Sequence, residues 1–537
     1  MNINVDDVRD FDAMLKRRIA WFREKLSAWL TPHRLTVREI KVHKVLIPTV
    51  GVYTPGWQAL PAVSWAFVEI QTNEGPVGTG EWSVDLGDDT RACLEGLKQS
   101  PGRNLLDLDL EEPLFMVWWD LVGQVLGKPL HALWAELFER GFTAPRQIPM
   151  AAYTWQRFPD SSGNGDVTFD SWPDHAAGWA RMGFPSIKIS MTGYDPDSYV
   201  DLIHRIRDKV GPDTAIRIDA HGTWNFQEAR RILPQLEDCR LEYIEQPVNA
   251  LLPQRFYPPG EPMPAVCAAK GGFQAEYYFR RMTELRHGLR TPLSCHWWTP
   301  PIVHPPGVSV MSNQWEPHWY MLERYDAADV SVPDIGLGPW GLWRLTELTR
   351  FMGMHITMHS NFELCLQLSF RAAMVSAVVY DTESAGLYLG TTPRRCHPID
   401  NETITISDDV ITGGPFDWTG GHLQLSDRPG HGVTLDPERL QRYRYSAEAV
   451  SGHRAYSEKI YANYLLDRPR RFNQAVTPSP TRSAASLART HRNKWTRSST
   501  DEPENIVEGS SDHGRRWRHR PRRRQTTGRT RIRPRRA

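Results

Sequence analysis

The stretch AIRIDAHGTW (215–224), followed after the run FQEARRILPQL (226–236) by LEYIEQP (241–247), decides the fold. Two short apolar runs, each ending in a carboxylate (Asp219, Glu245), flank a segment with helical period. That is a strand–helix–strand unit, and strands joined through a helix are expected to lie parallel. The unit repeats outward in both directions. Strands are expected at IPMAAYT (148–154), SIKIS (186–190), DVSVPD (329–334), HITMHS (355–360) and SAGLYLG (384–390), with one more somewhere in 290–313. Helices such as SYVDLIHRIRDKV (198–210) and GLWRLTELTRFM (341–352) separate them. Eight units at steps of about 25–30 residues predict an α/β protein built on a (β/α)8 barrel, with its reacting groups at the C-terminal strand ends.

Upstream, from Thr36, the period changes to two: EIKVHKVLIPTV (39–50) and SWAFVEIQTNEGPVGTGEWS (64–83) read as strands, the second turning through Asn73-Glu74-Gly75. With helical patterns to about Arg140, this makes 36–145 an α+β capping domain, the barrel then occupying 146–390. Segment 391–445, with TITISDD and GHLQLSD, is expected to return to the capping sheet. The first 35 residues form a helical extension. Phe11, Leu15, Ile19, Phe22, Leu26 and Leu30 recur at spacings of three and four until Pro32 stops the helix, a stripe suited to core packing or to an oligomer contact. The Pro-rich segment 248–306 is too long for an ordinary loop and is assigned as an insertion.

A length of 537 residues implies more than one domain, and 40% hydrophobic with 24% charged residues describes a soluble globular chain. There is no apolar run long enough for a membrane span and no secretory signal pattern in MNINVDDVRD. The six cysteines are scattered without a C-x-x-C pair, which fits a reducing compartment, and a cytoplasmic enzyme is expected. The net charge of +1 conceals a split between an acidic body and an Arg-rich tail at 470–537. The tail has few apolar residues and is expected to be disordered. A nucleic-acid partner is not expected despite its charge, nor is a membrane; a small-molecule substrate and a homo-oligomer are.

Chemistry is expected where the strands end. Asp219, Glu245, Asp334 and His359 each close an apolar run. Carboxylates there are costly unless paired or bound to a cation. Asp219 and Glu245, one βα unit apart, make a hard-cation site suited to Mg2+, which keeps positions open for substrate oxygens. His359, one unit after Asp334, has the logic of a base oriented by a carboxylate.

The ordered set resembles the enolase superfamily, in its mandelate racemase/muconate lactonizing enzyme branch, and most of all the glucarate dehydratases. The resemblance spans roughly 36–445: VEIQTNEGPVGTGE (68–81), Lys188, Asp219, Glu245-Gln246-Pro247, Asp334 with His359, HSNFELCLQLS (359–369) and RPGHGVTLD (428–436). It implies removal of the proton α to a substrate carboxylate with Mg2+ present, followed in the dehydratases by loss of a β-hydroxyl. Galactarate or mannonate dehydration, or a catalytically silent relative, remain alternatives. By resemblance, His359 is the base, Asp334 its orienter and Lys188 an electrostatic partner of the substrate carboxylate. Asn361 and His221 take substrate-contacting positions, and Tyr53 and Trp57 lie in the loop that closes over the substrate. Three departures stand out. The family's Lys-x-Lys is Lys188-Ile189-Ser190, which removes the base of the opposite face, so dehydration without α-epimerisation is expected. The third metal ligand is Asn313 or His296, and Asn313 is preferred because its oxygen is the harder donor. Finally, His221 stands where the family carries Asn.

Overall fold

The period of two that begins at Thr36 folds into an antiparallel sheet. Strand β1 (Val37–Tyr53) pairs with β2 (Leu60–Thr72), and β2 with β3 (Val77–Ser83). The β2–β3 connection passes through Asn73-Glu74-Gly75, where Gly75 adopts φ 114°, a conformation a side chain would strain. Helices α2 (Asp88–Gln99), α3 (Phe115–Val125) and α4 (Leu130–Leu137) follow, burying Trp118, Trp119 and Trp134. The computed structural model describes residues 5–53, 60–141, 143–160, 162–191, 196–222, 224–248, 271–296, 324–333, 338–380, 396–453 and 455–456. Trp57, Asn313, Asp334, the strand expected at 384–390, nearly all of the 248–306 segment ahead of residue 271, and the tail at 470–537 lie outside them.

The repeating apolar runs form the second sheet. In chain order it contains β4 (Gln147–Thr154), β6 (Ser186–Ser190), β7 (Ala215–Asp219), β8 (Ile244–Glu245), β9 (Leu293–His296), β10 (Val330–Val332), β11 (His355–Ile356) and β12 (Ile399–Asn401). The spatial order is β11-β10-β9-β8-β7-β6-β4-β12, and every neighbouring pair is parallel. A short β5 (Arg157–Phe158) instead joins the end of β1. Helices fill the connections: α5 (Trp172–Arg181), α6 (Pro196–Val210), α7 (Phe226–Ile232), α8 (Gly271–Arg286), α9 (Pro339–Phe351) and α10 (Cys365–Val378). The alternation read from the sequence is thus an α/β fold on a parallel sheet.

The strand beside β4 differs from expectation. Ile399–Asn401 takes that place, from inside the segment 391–445 assigned to return to the capping sheet. Its approach also bonds to β11's side: His397 N donates to Ile356 O (2.9 Å) and Asp400 N to Met358 O (3.0 Å). The run CHPIDNE carries a single aliphatic residue, so no hydrophobic period marks it as a strand. Further on, β13 (His422–Gln424) adds antiparallel to the start of β4, while bridges Thr49–Ile406 and Val45–Arg444 tie the same C-terminal segment to β1. Helix α11 (Pro437–Arg442) ends this return.

The amphipathic stripe at the start of the chain becomes α1 (Val5–Leu30), and its buried face packs inside the chain. Phe11 stacks on Phe351 at 4.3 Å, Phe22 meets Trp343 edge-on at 5.1 Å, and Asp12 accepts two bonds from Arg344 (2.5 and 2.7 Å). Phe22 also lies 5.3 Å from Phe138, so one ring joins the extension, the capping helices and the parallel-sheet layer. Truncating a buried phenylalanine costs about 3–5 kcal/mol. We expect Phe22→Ala to lower the urea unfolding midpoint accordingly, and an unchanged midpoint would show that α1 is not part of the cooperative unit. None of the described helices is long and apolar enough to cross a membrane, and no disulfide occurs among the described cysteines.

Candidate active site

Alternation along a strand puts Lys188 and Ser190 on one face of β6, and Arg217 and Asp219 on one face of β7. Register then aligns them: Ser190 lies opposite Asp219, and Asp219 opposite Glu245. Three strand ends therefore deliver their polar residues to one place. At its centre is the Lys188 ammonium, fully buried, with Asp400 Oδ2 at 2.7 Å, Glu245 Oε2 at 2.8 Å and Asp219 Oδ2 at 3.2 Å. Burial disfavours the charge on Lys188, but Asp400, Glu245 and Asp219 outweigh it and raise its pKa well above the ordinary lysine value.

The carboxylates are not equivalent. Burial first, and then the charge of Asp219, push Glu245 up to about 8, against the pull of Lys188. Burial acts on Asp219 in the same sense, but His221, Lys188 and hydrogen bonds from the His221 backbone (2.9 Å) and the Tyr153 hydroxyl (2.9 Å) overcome it, so its pKa is lowered. Asp400 is likewise held well below the usual carboxylate range, with Lys188 and Arg217 overriding burial. Arg217 is fixed from beneath by the Tyr243 hydroxyl (2.6 Å) and Pro398 O (2.8 Å).

His359 follows β11, with its side chain 14% exposed and Nδ1 3.8 Å from Asp400 Oδ2. One carboxylate thus faces both the lysine and the imidazole. His221 adopts φ 48° and sets Nε2 2.9 Å from Ser190 Oγ and 3.2 Å from the Tyr153 hydroxyl. Its ring lies 5.2 Å from that of Trp155. Burial lowers its pKa to about 4, so the imidazole is neutral near pH 7. Asn361 is exposed, and its backbone N–H donates to Glu363 Oε2 (2.7 Å). Tyr53, at the end of β1, is buried with its ring edge against Phe362 (5.7 Å), so the capping sheet reaches the loop that follows His359.

Lys188, Asp219, Glu245, His221 and His359 are thus brought together, while Asn361, two residues after His359, is exposed. Asp334 and Asn313 fall outside the described residues, as does the side chain of His296, whose backbone ends β9. Sequence reasoning missed Asp400, Tyr153 and Glu402. Tyr153 was findable, because it nearly ends β4 and the rule of asking what closes each strand applies to it. Asp400 and Glu402 lie on or just beyond the strand that has no hydrophobic signature. Glu402 is buried, and burial together with the Glu363 charge raises its pKa well above the usual range.

Among the described residues no group of three His, Cys, Asp or Glu side chains is arranged to hold a metal. The two described donors nevertheless fit a hard divalent cation. Both offer carboxylate oxygens from neighbouring strand ends, and the Asp219 charge that drives Glu245 upward is a repulsion such a cation relieves.

Over 335 residues the chain is 26% identical to a probable glucarate dehydratase of Streptomyces coelicolor, covering 60% of this chain and 62% of that protein. Over 239 residues it is 23% identical to a hydrophobic dipeptide epimerase of Enterococcus faecalis, covering 40% and 62%. The chain therefore spans less than two thirds of either relative's length. An enolase of Pseudomonas fluorescens, solved with bound magnesium, potassium and tartrate, shares the fold with a TM-score of 0.56 at 18% identity, over 79% of this chain and 93% of that one. Residues 172–254 match the family described as Enolase C-terminal domain-like (MR_MLE_C), a segment that runs through the strand ends bearing Lys188, Asp219 and Glu245. Residues 172–254 thus carry an Enolase C-terminal domain-like segment, and beyond that segment the chain is similar to the relatives above in sequence and to enolase structures in fold.

Proposed function

We propose that the protein is a Mg2+-dependent acid-sugar dehydratase, similar to glucarate dehydratase, acting at the C-terminal ends of a closed (β/α)8 barrel. The bonds from 397 and 400 to the β11 side, with β12 parallel to β4, support closure. The observation that carries the functional reading is the convergence of the Lys188 ammonium, the Asp219–Glu245 pair and, across Asp400, the His359 imidazole.

Asp219 and Glu245 would hold the metal with Asn313, and bound there it supplies positive charge beside the substrate carboxylate. Lys188 adds a fixed charge on the same side. His359 accepts the α-proton, with Asp334 as its orienter. The C–H electron pair becomes the new C=C bond as the β C–O bond breaks, and the departing hydroxide takes the proton back from His359 and leaves as water. The resulting enol tautomerises to the keto acid. Asn361 and His221 contact the sugar hydroxyls, and the neutral His221 can donate or accept one hydrogen bond there. Ser190, in place of a second lysine, leaves one basic face.

A panel of aldarates and aldonates, including glucarate, galactarate and mannonate, incubated with Mg2+ and scored for keto-acid formation, tests the reading. Dehydration of at least one sugar acid is expected, with solvent deuterium at the former β-carbon of the keto acid and any α-deuterium in recovered substrate confined to one epimer. Deuterium in both epimers would show a second base, and no keto acid from any sugar would favour a silent relative. The natural setting consistent with this chemistry is the cytoplasm, with a sugar acid as the small-molecule partner and a homo-oligomeric assembly.

A further inference from the structure

The loop after His359 is held in an unusual way. Helix α10 begins at Cys365, and its N-cap residue, Leu364, has no side chain able to accept a hydrogen bond. Helix starts leave backbone N–H groups unsatisfied, and a local Ser, Thr, Asp or Asn normally accepts them. Here the acceptors come from distant segments. Glu81 on β3 of the capping sheet accepts from Leu364 N (2.7 Å) and Gln367 N (3.0 Å), and Asp409 accepts from Cys365 N (2.8 Å). Glu402 takes Phe362 N (2.9 Å), and Trp65 on β2 donates its indole N–H to Phe362 O (2.8 Å). Phe362 itself adopts φ 52°, a left-handed conformation that the contacts around it must maintain.

Glu81 is fully buried, and burying a carboxylate costs several kcal/mol unless its oxygens are satisfied. Its pKa is raised well above the ordinary value by burial, with Asp409 and Glu363 adding to the effect and the two N–H donors opposing it. An apolar residue would pack there at lower cost, but it would leave two helix N–H groups unbonded.

We propose that Glu81, assisted by Trp65, is a positioning residue for His359: a carboxylate of the capping sheet accepts from the start of α10, which has no side-chain cap of its own, and with Trp65 holds the loop that sets where the imidazole points. This rests on the reading of His359 as the base. Docking of the capping sheet and placement of the base are then one event.

Glu81→Gln keeps the side-chain shape and one acceptor but turns the other oxygen into an N–H donor facing a backbone N–H. In the full-length protein with Mg2+, kcat on the active sugar acid should fall by about tenfold to a hundredfold, the range expected when a reacting group is displaced by up to 1 Å. KM and Mg2+ affinity should stay near wild type, and the His359 ring resonance should move in the NMR spectrum. Trp65→Phe, which removes only the bond to Phe362 O, should shift both readouts less and in the same direction; it serves alone if Glu81→Gln fails to fold. A folded variant with wild-type kcat and an unmoved His359 resonance overturns the proposal, as does a rise in KM alone. Should the wild type dehydrate no sugar acid, the functional reading fails, while the His359 resonance still decides the positioning role.

Discussion

Replacing His359 with Asn should leave a folded protein that binds Mg2+ and does not dehydrate. Asn is close in size to imidazole and can hydrogen-bond, but it has no nitrogen that takes up a proton near neutral pH. The buried cluster does not depend on His359. Lys188 keeps Asp400, Glu245 and Asp219 within 3.2 Å, and the His359 side chain is only one of Asp400's neighbours, at 3.8 Å. Stability should therefore change little, whereas a general base contributes about 10²–10⁴-fold to the rate. Steady-state keto-acid formation, read beside circular dichroism and Mg2+ titration, gives the comparison. Retention of more than a tenth of wild-type kcat would remove His359 from the mechanism. Simultaneous loss of fold would mean that the imidazole is structural.

The second large effect is on stability. Lys188→Met should cost about 3–5 kcal/mol, the range for removing one partner from a buried charge cluster. Three carboxylates would then share one pocket without their central cation. In the wild type two of them, Asp219 and Asp400, have lowered pKa values, so their contribution is present above the unfolded-state pKa and is lost as pH falls. Glu245 behaves oppositely: at about 8 it binds its proton more tightly folded than unfolded, so stability declines as pH rises from the ordinary glutamate range towards 8. Without Lys188 the attraction that opposes protonation disappears and all three carboxylates move in the Glu245 direction. The variant should thus be most stable at acidic pH and lose stability steadily on the way to pH 8. Mg2+ should restore part of the loss, because a ligand that binds only the folded state stabilises it. Urea unfolding at pH 5.5 and pH 8, with and without Mg2+, measures this. A deficit that is flat with pH would indicate lost packing rather than lost charge.

Of these two residues, His359 was legible in the sequence because it closes an apolar run, whereas Lys188 was marked only by the family resemblance. Asp219 and Glu245 close apolar runs one βα unit apart, and parallel pairing converts that spacing into adjacency. The α1 stripe was legible on the same grounds, since Leu15, Phe22, Leu26 and Leu30 keep a helical period and all four are buried. Whether that face met its own chain or another was not legible, because Phe351, Trp343 and Arg344 are more than 300 residues away and no local pattern points to them. Asp400 escaped notice because β12 is three residues long and two of them, Asp400 and Asn401, are buried polar groups. A strand held mainly by ion pairs and its neighbours' backbone has no hydrophobic rhythm. The Glu81 contacts are invisible for a related reason: a helix normally advertises its start through a nearby capping residue, and α10 has none.

The way α1 lies on α9 bears on how the protein can be shortened. Boundaries drawn from the matched segment, or from the first strand at Val37, would discard this helix as a dispensable leader. Such a fragment would uncover the Phe351 ring and the side of Trp343 that meets Phe22, and would leave the Arg344 guanidinium without Asp12, all on α9. Trimmed forms should therefore clump on expression, and tags or fusions are better tolerated ahead of Val5 than in place of the helix.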